Sequence, residues 1–364
     1  MGASPVTGLP VPDYISVDRI LGEHPVTASA PCRIDAGGTW DIKAMALPFE
    51  MHNPSTFNIA LNMRTTVNLL PFRTGMIKIS SQGFTKGIII NGRKPDLTGQ
   101  FSIFIAAIGH FGFSGLEVKI NSRSPVKSAL GGSSTALVAL IKALVKLDKL
   151  TRDNGRIITG KDILNLGYHL EDGISGGNCG IQDQAAAVYG GVNGWLWRYS
   201  DRKTPAVREK LLDNNGMKRL SERILVAFSG KLHVSAMTNR IWLKNFLEGK
   251  TRSGWLEANA VTGDLISAVR AMEWKEAVKL LKAEMKIRRK ITPDALIPET
   301  SGLIKAAEGA GCAARFAGAG AGGSLWALGE PDDIEGLRIK WDNMLSKIKG
   351  ACILPCAVDP KGVI

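Results

Sequence analysis

The stretch from Pro125 to Leu137, P-V-K-S-A-L-G-G-S-S-T-A-L, constrains the fold of this chain more than any other. Gly131 and Gly132 permit a tight turn and let the backbone approach a ligand closely. Ser133, Ser134 and Thr135 are good N-cap residue types. Leu137, Leu140, Ile141, Leu144, Val145 and Leu147 then recur at three-four spacing and predict a helix from Ala136 to Leu150. Upstream, L-E-V-K-I-N-S at Leu116 to Ser122 alternates as a half-buried strand does. A strand, a glycine turn and a helix N-terminus in succession aim free N–H groups and the positive end of the helix dipole at one point, which is an anion site. The hydroxyls can also reach a magnesium ion, which takes oxygen ligands. The same residues would serve equally as a tight turn with a good cap, so the rest of the chain has to decide.

The chain has 364 residues, which is long for one simple core and leads us to expect two domains. A hydrophobic share of 45% with 22% charged residues fits a soluble globular protein. No apolar run reaches membrane-spanning length. The first residues, M-G-A-S-P-V-T-G-L-P-V-P, lack the basic-then-apolar order of a secretory signal and suggest an extended arm. Cys32, Cys179, Cys312, Cys352 and Cys356 are scattered, with no paired CxxC spacing, so reduced thiols in a cytoplasmic protein are expected. The five histidines are equally dispersed and give no zinc signature. The net charge of +13 is spread along the chain. Its densest run, Lys279 to Lys290 with Lys282, Lys286, Arg288 and Arg289, reads as the solvated face of a helix packed through Ala277, Val278, Leu281 and Met285. Without interleaved aromatics to stack on bases, no nucleic acid partner is expected. A positive field instead suits anionic small substrates.

Strand patterns are expected at Asn58 to Leu70, Met76 to Ser81 and Gly87 to Asn91, and helices at Leu97 to Gly109, Ile157 to Leu170 and the run I-Q-D-Q-A-A-A-V-Y. Polar Ser200 to Lys218 marks a boundary, which gives domains 1–215 and 216–364. Beyond it, helices at Met237 to Leu247, Leu256 to Ala271, Lys275 to Arg288, Ser301 to Gly309 and Asp332 to Lys349 accompany strands at Arg223 to Phe228, Ala313 to Ala317, Ser324 to Leu328 and Ala351 to Val358. The second half reads as helices against a small antiparallel sheet, and the whole as an α+β protein.

Two glycine patterns mislead. G-R-I-I-T-G-K at Gly155 to Lys161 has Walker A spacing, but Asp162 stands where a Ser or Thr should hold magnesium, and no strand precedes it. G-A-G-A-G-G at Gly318 to Gly323 satisfies GxGxxG, but a strand follows it where a dinucleotide fold needs a helix.

The second informative stretch is H-L-E-D-G-I-S-G-G-N-C-G-I-Q-D-Q-A-A-A-V-Y-G-G-V-N from His169 to Asn193. Glu171 sits near a helix end and Asp183 lies twelve positions later at the start of the next helical run. Phosphoryl transfer needs a phosphate cradle, a magnesium ligand, a group to orient or deprotonate the attacking hydroxyl, and a cation. The loop offers the cradle, Glu171 a metal carboxylate, Asp183 a base, and Arg33 or Lys127 the cation. Both acids could also do no more than cap helix ends.

Four ordered motifs together resemble the GHMP kinase superfamily, especially its sugar-kinase branch of L-fucose and D-glycero-D-manno-heptose kinases. A-P-C-R-I-D-A-G-G-T-W-D resembles the first motif, P-V-K-S-A-L-G-G-S-S-T-A the phosphate loop, N-C-G-I-Q-D-Q the C-G-I-x-D-Q segment of galactokinases, and G-A-G-A-G-G the glycine-rich third motif. The resemblance implies a ribosomal-protein-S5-like N-terminal domain, a ferredoxin-like C-terminal domain and a site between them. It implies ATP and Mg²⁺ as cofactors and a sugar or sugar-phosphate substrate phosphorylated at its anomeric hydroxyl. Galactose, a mevalonate-like acceptor or a non-catalytic nucleotide sensor remain alternatives. The partners it implies are small molecules, with no membrane and a monomer or homodimer as the assembly. Carried over by motif, Asp183 is the base and Arg33 the stabilising cation. Glu171 and Ser134 hold the metal, and Lys127, Gly131, Gly132, Ser133, Ser134 and Thr135 take the ATP phosphates. Asp41, Asp35, Gly37, Gly38, Gly180, Gly320 and Gly322 line the substrate. The chain departs from the pattern at three places. Arg33 and Asp41 are eight residues apart where nine is usual, Ala129 and Gly132 replace the loop's commoner Gly and Ser, and His233 stands where S-G-K-L-H-V-S-A would usually carry Arg.

Overall fold

In this computed structural model the described residues are 14–37, 40–83, 86–94, 96–152, 157–201, 204–232 and 235–364. The N-terminal arm, Gly38 and His233 lie outside them.

The N-terminal half is built on a seven-stranded sheet. Its strands are β1 (Val26–Ala36), β2 (Ser55–Pro71), β3 (Met76–Ser81), β4 (Ile88–Asn91), β5 (Leu116–Ser122), β6 (Val192–Trp197) and β7 (Ala206–Lys210). The order along the sheet is β4-β3-β5-β2-β6-β7, with β1 also paired to β2. All neighbours are antiparallel except β3 with β5. Helices α1 (Ser102–Phe111), α2 (Gly132–Thr151), α3 (Gly160–Ser175) and α4 (Gln182–Tyr189) are the longer helices of this half, with α2 packed on β1 and β2. The second half carries a four-stranded antiparallel sheet of β8 (Ile224–Phe228), β9 (Ala313–Phe316), β10 (Ser324–Leu328) and β11 (Cys352–Leu354), ordered β9-β10-β8-β11. Helices α5 (Ser235–Leu247), α6 (Arg252–Arg270), α7 (Trp274–Ile291), α8 (Pro298–Glu308) and α9 (Pro331–Leu345) accompany it.

The apolar patterns explain most of this. In α2, Leu137, Leu140, Ile141, Leu144 and Leu147 are all buried, so the helix is held by the sheet it covers. The helix begins earlier than its apolar pattern, at Gly132, because left-handed Gly131 (φ +74°) serves as its N-cap. β6 and β7 lie in stretches with no strand expectation. V-N-G-W-L-W does not alternate because β6 is buried on both faces, with Trp195 and Trp197 stacked at 5.7 Å.

A long β1 matters most for function. Its alternation sends Cys32, Ile34 and Ala36 into an apolar cluster and leaves Arg33 and Asp35 together on the opposite face. The basic run of α7 is only partly the solvated face expected. Arg288 is fully buried, with its guanidinium 4.4 Å from the Trp255 ring and 4.7 Å from that of Trp242. The cysteines are free thiols. Among the described residues no helix is long and apolar enough to cross a membrane.

Candidate active site

Arg33 of β1 meets Asp183 in the first turn of α4. Its Nε donates to Asp183 Oδ1 at 2.8 Å and its NH2 nitrogen lies 2.7 Å from the same oxygen. A third nitrogen, NH1, donates to the Ala129 carbonyl of the glycine loop at 2.6 Å. One planar guanidinium therefore ties the strand, the loop and the acid together, which Lys could not do. Burial works against the charged guanidinium, but Asp183 and Asp35 more than offset this and hold its pKa above the usual value.

The loop is shaped for this contact. Lys127 (φ +54°), Ala129 (φ +62°) and Gly131 (φ +74°) are all left-handed. Ala129 occupies the place of a glycine in the resembled loop, and the backbone there keeps the conformation glycine would favour. A Cβ on Gly131 would come within 3.2 Å of the Asp183 carboxylate, so the glycine permits that approach. The loop is pinned from both domains: Arg33 N donates to the Leu130 carbonyl at 3.1 Å, and Ser324 N to that of Ser128 at 2.8 Å.

Beyond the loop, Ser134 is buried and sits beside Glu171 of α3. Gln184 Nε2 donates to Glu171 Oε2 at 2.7 Å. Burial lifts the Glu171 pKa to about 7, with Asp183 adding repulsion. A carboxylate pressed toward neutrality beside a hydroxyl and a second acid is a place that gains from a cation. These donors are all oxygen, and a magnesium ion that keeps waters and phosphate ligands needs little more from protein. Among the described residues no group of three or more His, Cys, Asp and Glu gathers as a richer metal cage.

Asp41 closes the other side of α4. Its Oδ2 accepts from the Gln182 backbone N–H at 3.0 Å, capping the helix that presents Asp183. Tyr199 donates its hydroxyl to the Asp41 carbonyl. Gly180 is needed here, because a Cβ would fall 1.8 Å from Asp41 Oδ2. Burial raises the Asp41 pKa to about 7, with Asp183 and Asp35 contributing. Shortening the Arg33-to-Asp41 interval has thus not removed Asp41 from the neighbourhood of Asp183.

Several expected site residues are placed elsewhere. Thr135 is buried, and its hydroxyl donates back to the Gly131 carbonyl at 2.8 Å. Asp35 is fully buried, with Oδ1 accepting from Gly318 N–H at 2.7 Å and Oδ2 from Arg315 at 3.2 Å. Both of its carboxylate oxygens are thus taken by protein groups. Gly37 packs on α6, where a Cβ would meet Thr262 at 2.4 Å. Gly320 and Gly322 approach the backbone of Ala295 and of Lys231 and Leu232. The glycines of that bend that reach the site are Gly318, near Arg33 and the Ala129 carbonyl, and Gly323, against Ser128 and Ala129. The motif was visible in the sequence, but which of its glycines face the loop was not. Lys127 and Ser133 are exposed at the loop, and Gly132 opens α2.

Residues 101–191 match the family model for the GHMP kinases N terminal domain. No curated protein matches the chain by sequence. Among solved structures, a D-glycero-D-manno-heptose 1-phosphate kinase from Bacteriodes thetaiotaomicron superposes with a TM-score of 0.71 at 18% identity, over 93% of this chain and 97% of that one. A Lactococcus lactis galactokinase complexed with galactose gives 0.72 at 19%, over 94% and 95%. A Streptococcus pneumoniae phosphomevalonate kinase in complex with phosphomevalonate and AMPPNP gives 0.72 at 14%, over 92% and 100%. Residues 101–191 thus carry the match to the GHMP kinases N terminal domain, and the chain shares the two-domain fold of these kinases.

Proposed function

We propose that this protein is an ATP- and Mg²⁺-dependent kinase that phosphorylates the anomeric hydroxyl of a sugar or sugar phosphate, of the fucose or heptose phosphate type. The observation that carries the reading is the Arg33–Asp183 pair at 2.7 Å, seated on the glycine loop through the Ala129 carbonyl. Similarity of fold to a heptose 1-phosphate kinase and a galactokinase supports a sugar as the acceptor.

In this reading the loop amides from Gly131 to Ser134 and the N-terminus of α2 bind the ATP phosphates. Asp183, partly open to solvent with its side chain 23% exposed, accepts or orients the proton of the attacking hydroxyl. Arg33 holds that carboxylate and offsets charge on the γ-phosphoryl group. Glu171 and Ser134 would hold Mg²⁺, which supplies neutralisation of phosphate charge when bound. Asp41, beside Gly180 at the capped end of α4, accepts from a sugar hydroxyl. Gln184 keeps Glu171 aimed.

The test is ADP release from Mg·ATP over a panel of free and phosphorylated sugars, with mevalonate and homoserine alongside. We expect turnover with a sugar, and a loss of about 10²–10⁴-fold in Asp183→Asn at unchanged thermal stability. Near-wild-type turnover by a folded Asp183→Asn would remove Asp183 from the chemistry. ATP binding without turnover on any acceptor would favour a nucleotide sensor.

A further inference from the structure

Arg33 is one link in a longer series of charges. It shares a face of β1 with Asp35, and its NH1 lies 3.6 Å from Asp35 Oδ1. Asp35 is held by Arg315 of β9, whose NH1 donates to Oδ2 at 3.2 Å and to the Asp35 carbonyl at 2.9 Å. Arg315 Nε donates to Glu284 Oε2 of α7 at 3.0 Å. Glu284 Oε1 in turn lies 3.8 Å from Arg288 NH1. The side chains of Asp35, Arg315, Glu284 and Arg288 are all 0% exposed. The signs alternate from Asp183 to Arg288, and the series runs from the first sheet to the second.

A buried ion pair gives little net stability, but removing one partner leaves an uncompensated charge with a strong demand for another. Two carboxylates compete for Arg33: Asp183 at 2.7 Å and Asp35 at 3.6 Å. Asp35 is the more deeply buried of the two and would have the greater need, yet Arg33 lies with Asp183. Arg315 and the Gly318 N–H already satisfy both oxygens of Asp35.

We infer that Arg315 is a positioning residue for the phosphoryl-transfer site. By satisfying Asp35 from the second domain, it leaves Arg33 turned toward Asp183 and the glycine loop. The functional half of this inference rests on the proposed kinase reading; the placement of the Arg33 guanidinium does not.

The experiment compares crystal structures and steady-state kinetics of Arg315→Met, Arg315→Lys and the double variant Asp35→Asn/Arg315→Met. In Arg315→Met, Arg33 is expected to leave Asp183 for Asp35. Misplacing a reacting group on this scale lowers kcat by about 100-fold, with KM for ATP little changed. Arg315→Lys keeps the charge and should retain the Arg33–Asp183 contact. The double variant removes the competitor along with its partner, so Arg33 should return to Asp183 and kcat recover. A merely structural Arg315 would make the double variant no better than the single one, and that result overturns the inference. So does an Arg315→Met structure with Arg33 still on Asp183. If Arg315→Met does not fold, Arg315→Gln takes its place in the comparison. If the wild type transfers phosphate to no acceptor, the kinase reading falls and the position of Arg33 in the crystal structures decides the inference.

Discussion

Asp41 shows how one side chain can be at odds with its surroundings for a purpose. Its ordinary pKa is near 3.8, and burial lifts it to about 7 in the fold. Between those values the folded state binds a proton that the unfolded chain releases, so stability falls as pH rises through that window and levels off above 7. The slope reaches at most about 1.4 kcal/mol per pH unit. Asp41→Asn keeps an acceptor for Gln182 N–H but removes the titration. In ligand-free protein we therefore expect the variant to gain thermal stability over wild type at pH 8 and to show only about a quarter of that gain at pH 4.5. An equal gap at both pH values would mean that Asp41 is not a strained acid. Arg33 makes a second argument at this scale. Its three contacts, on Asp183, Ala129 and Asp35, need a planar fork. Arg33→Lys keeps the charge but not the geometry, and should lower kcat by about 100-fold in the ADP-release assay.

At the level of elements, the candidate site is two turns pressed together. The loop before α2 and the bend between β9 and β10 touch where Gly323 meets Ser128 and Ala129. A Cβ on Gly323 would lie 2.7 Å from that of Ala129 and 2.9 Å from the Ser128 carbonyl. Gly323 is also left-handed, at φ +75°. Gly323→Ala should therefore destabilise the protein by about 2 kcal/mol or more, read from urea unfolding. Ala129 presents the opposite case, a left-handed residue that carries a Cβ it does not need. Left-handed backbone costs an L-residue about 1–2 kcal/mol, and glycine returns part of that gain through its greater freedom in the unfolded chain. Ala129→Gly is expected to stabilise by up to about 1 kcal/mol. A clear loss of stability would mean that the Ala129 methyl is needed against the bend.

Across the whole molecule, two extended devices are among the contacts that bind the halves. One is the buried charge series through Asp35 and Arg315. The other is the segment after β11, which crosses back onto the first sheet. There Leu61 bridges Val358, Asp359 N donates to the Ala60 carbonyl, and Ile364 and Ser29 exchange backbone hydrogen bonds at 3.0 Å. Arg64 of β2 anchors this segment. It donates to Asp359 at 2.6 Å, to the Gly362 carbonyl at 2.8 Å, and to both the hydroxyl and the carbonyl of Ser29. Arg64→Ala leaves the partly buried Asp359 carboxylate without its cation and should cost about 3 kcal/mol of unfolding free energy. With both devices intact, unfolding should be a single transition by fluorescence and circular dichroism alike; two separated transitions would show that the halves unfold independently.

Elements with strong local patterns were legible in the sequence: the β5 strand, the apolar stripe of α2, and the two strands flanking Gly318 to Gly323. So was the grouping of Arg33, the glycine loop, Glu171 and Asp183, because each motif carries its own local chemistry and the order of motifs reports the fold. What only the tertiary structure decided is which face each residue turns to. Asp35 and Arg288 read as polar residues available to solvent or substrate, yet they became buried partners in one charge series. Thr135 turned its hydroxyl inward, and Gly318 and Gly323 reached the loop where Gly320 and Gly322 do not. Those outcomes depend on atoms brought together across hundreds of positions of sequence. Local pattern sets the conformation of a segment, whereas the competition for buried charges and close backbone approaches is settled only when both sides of the contact are present.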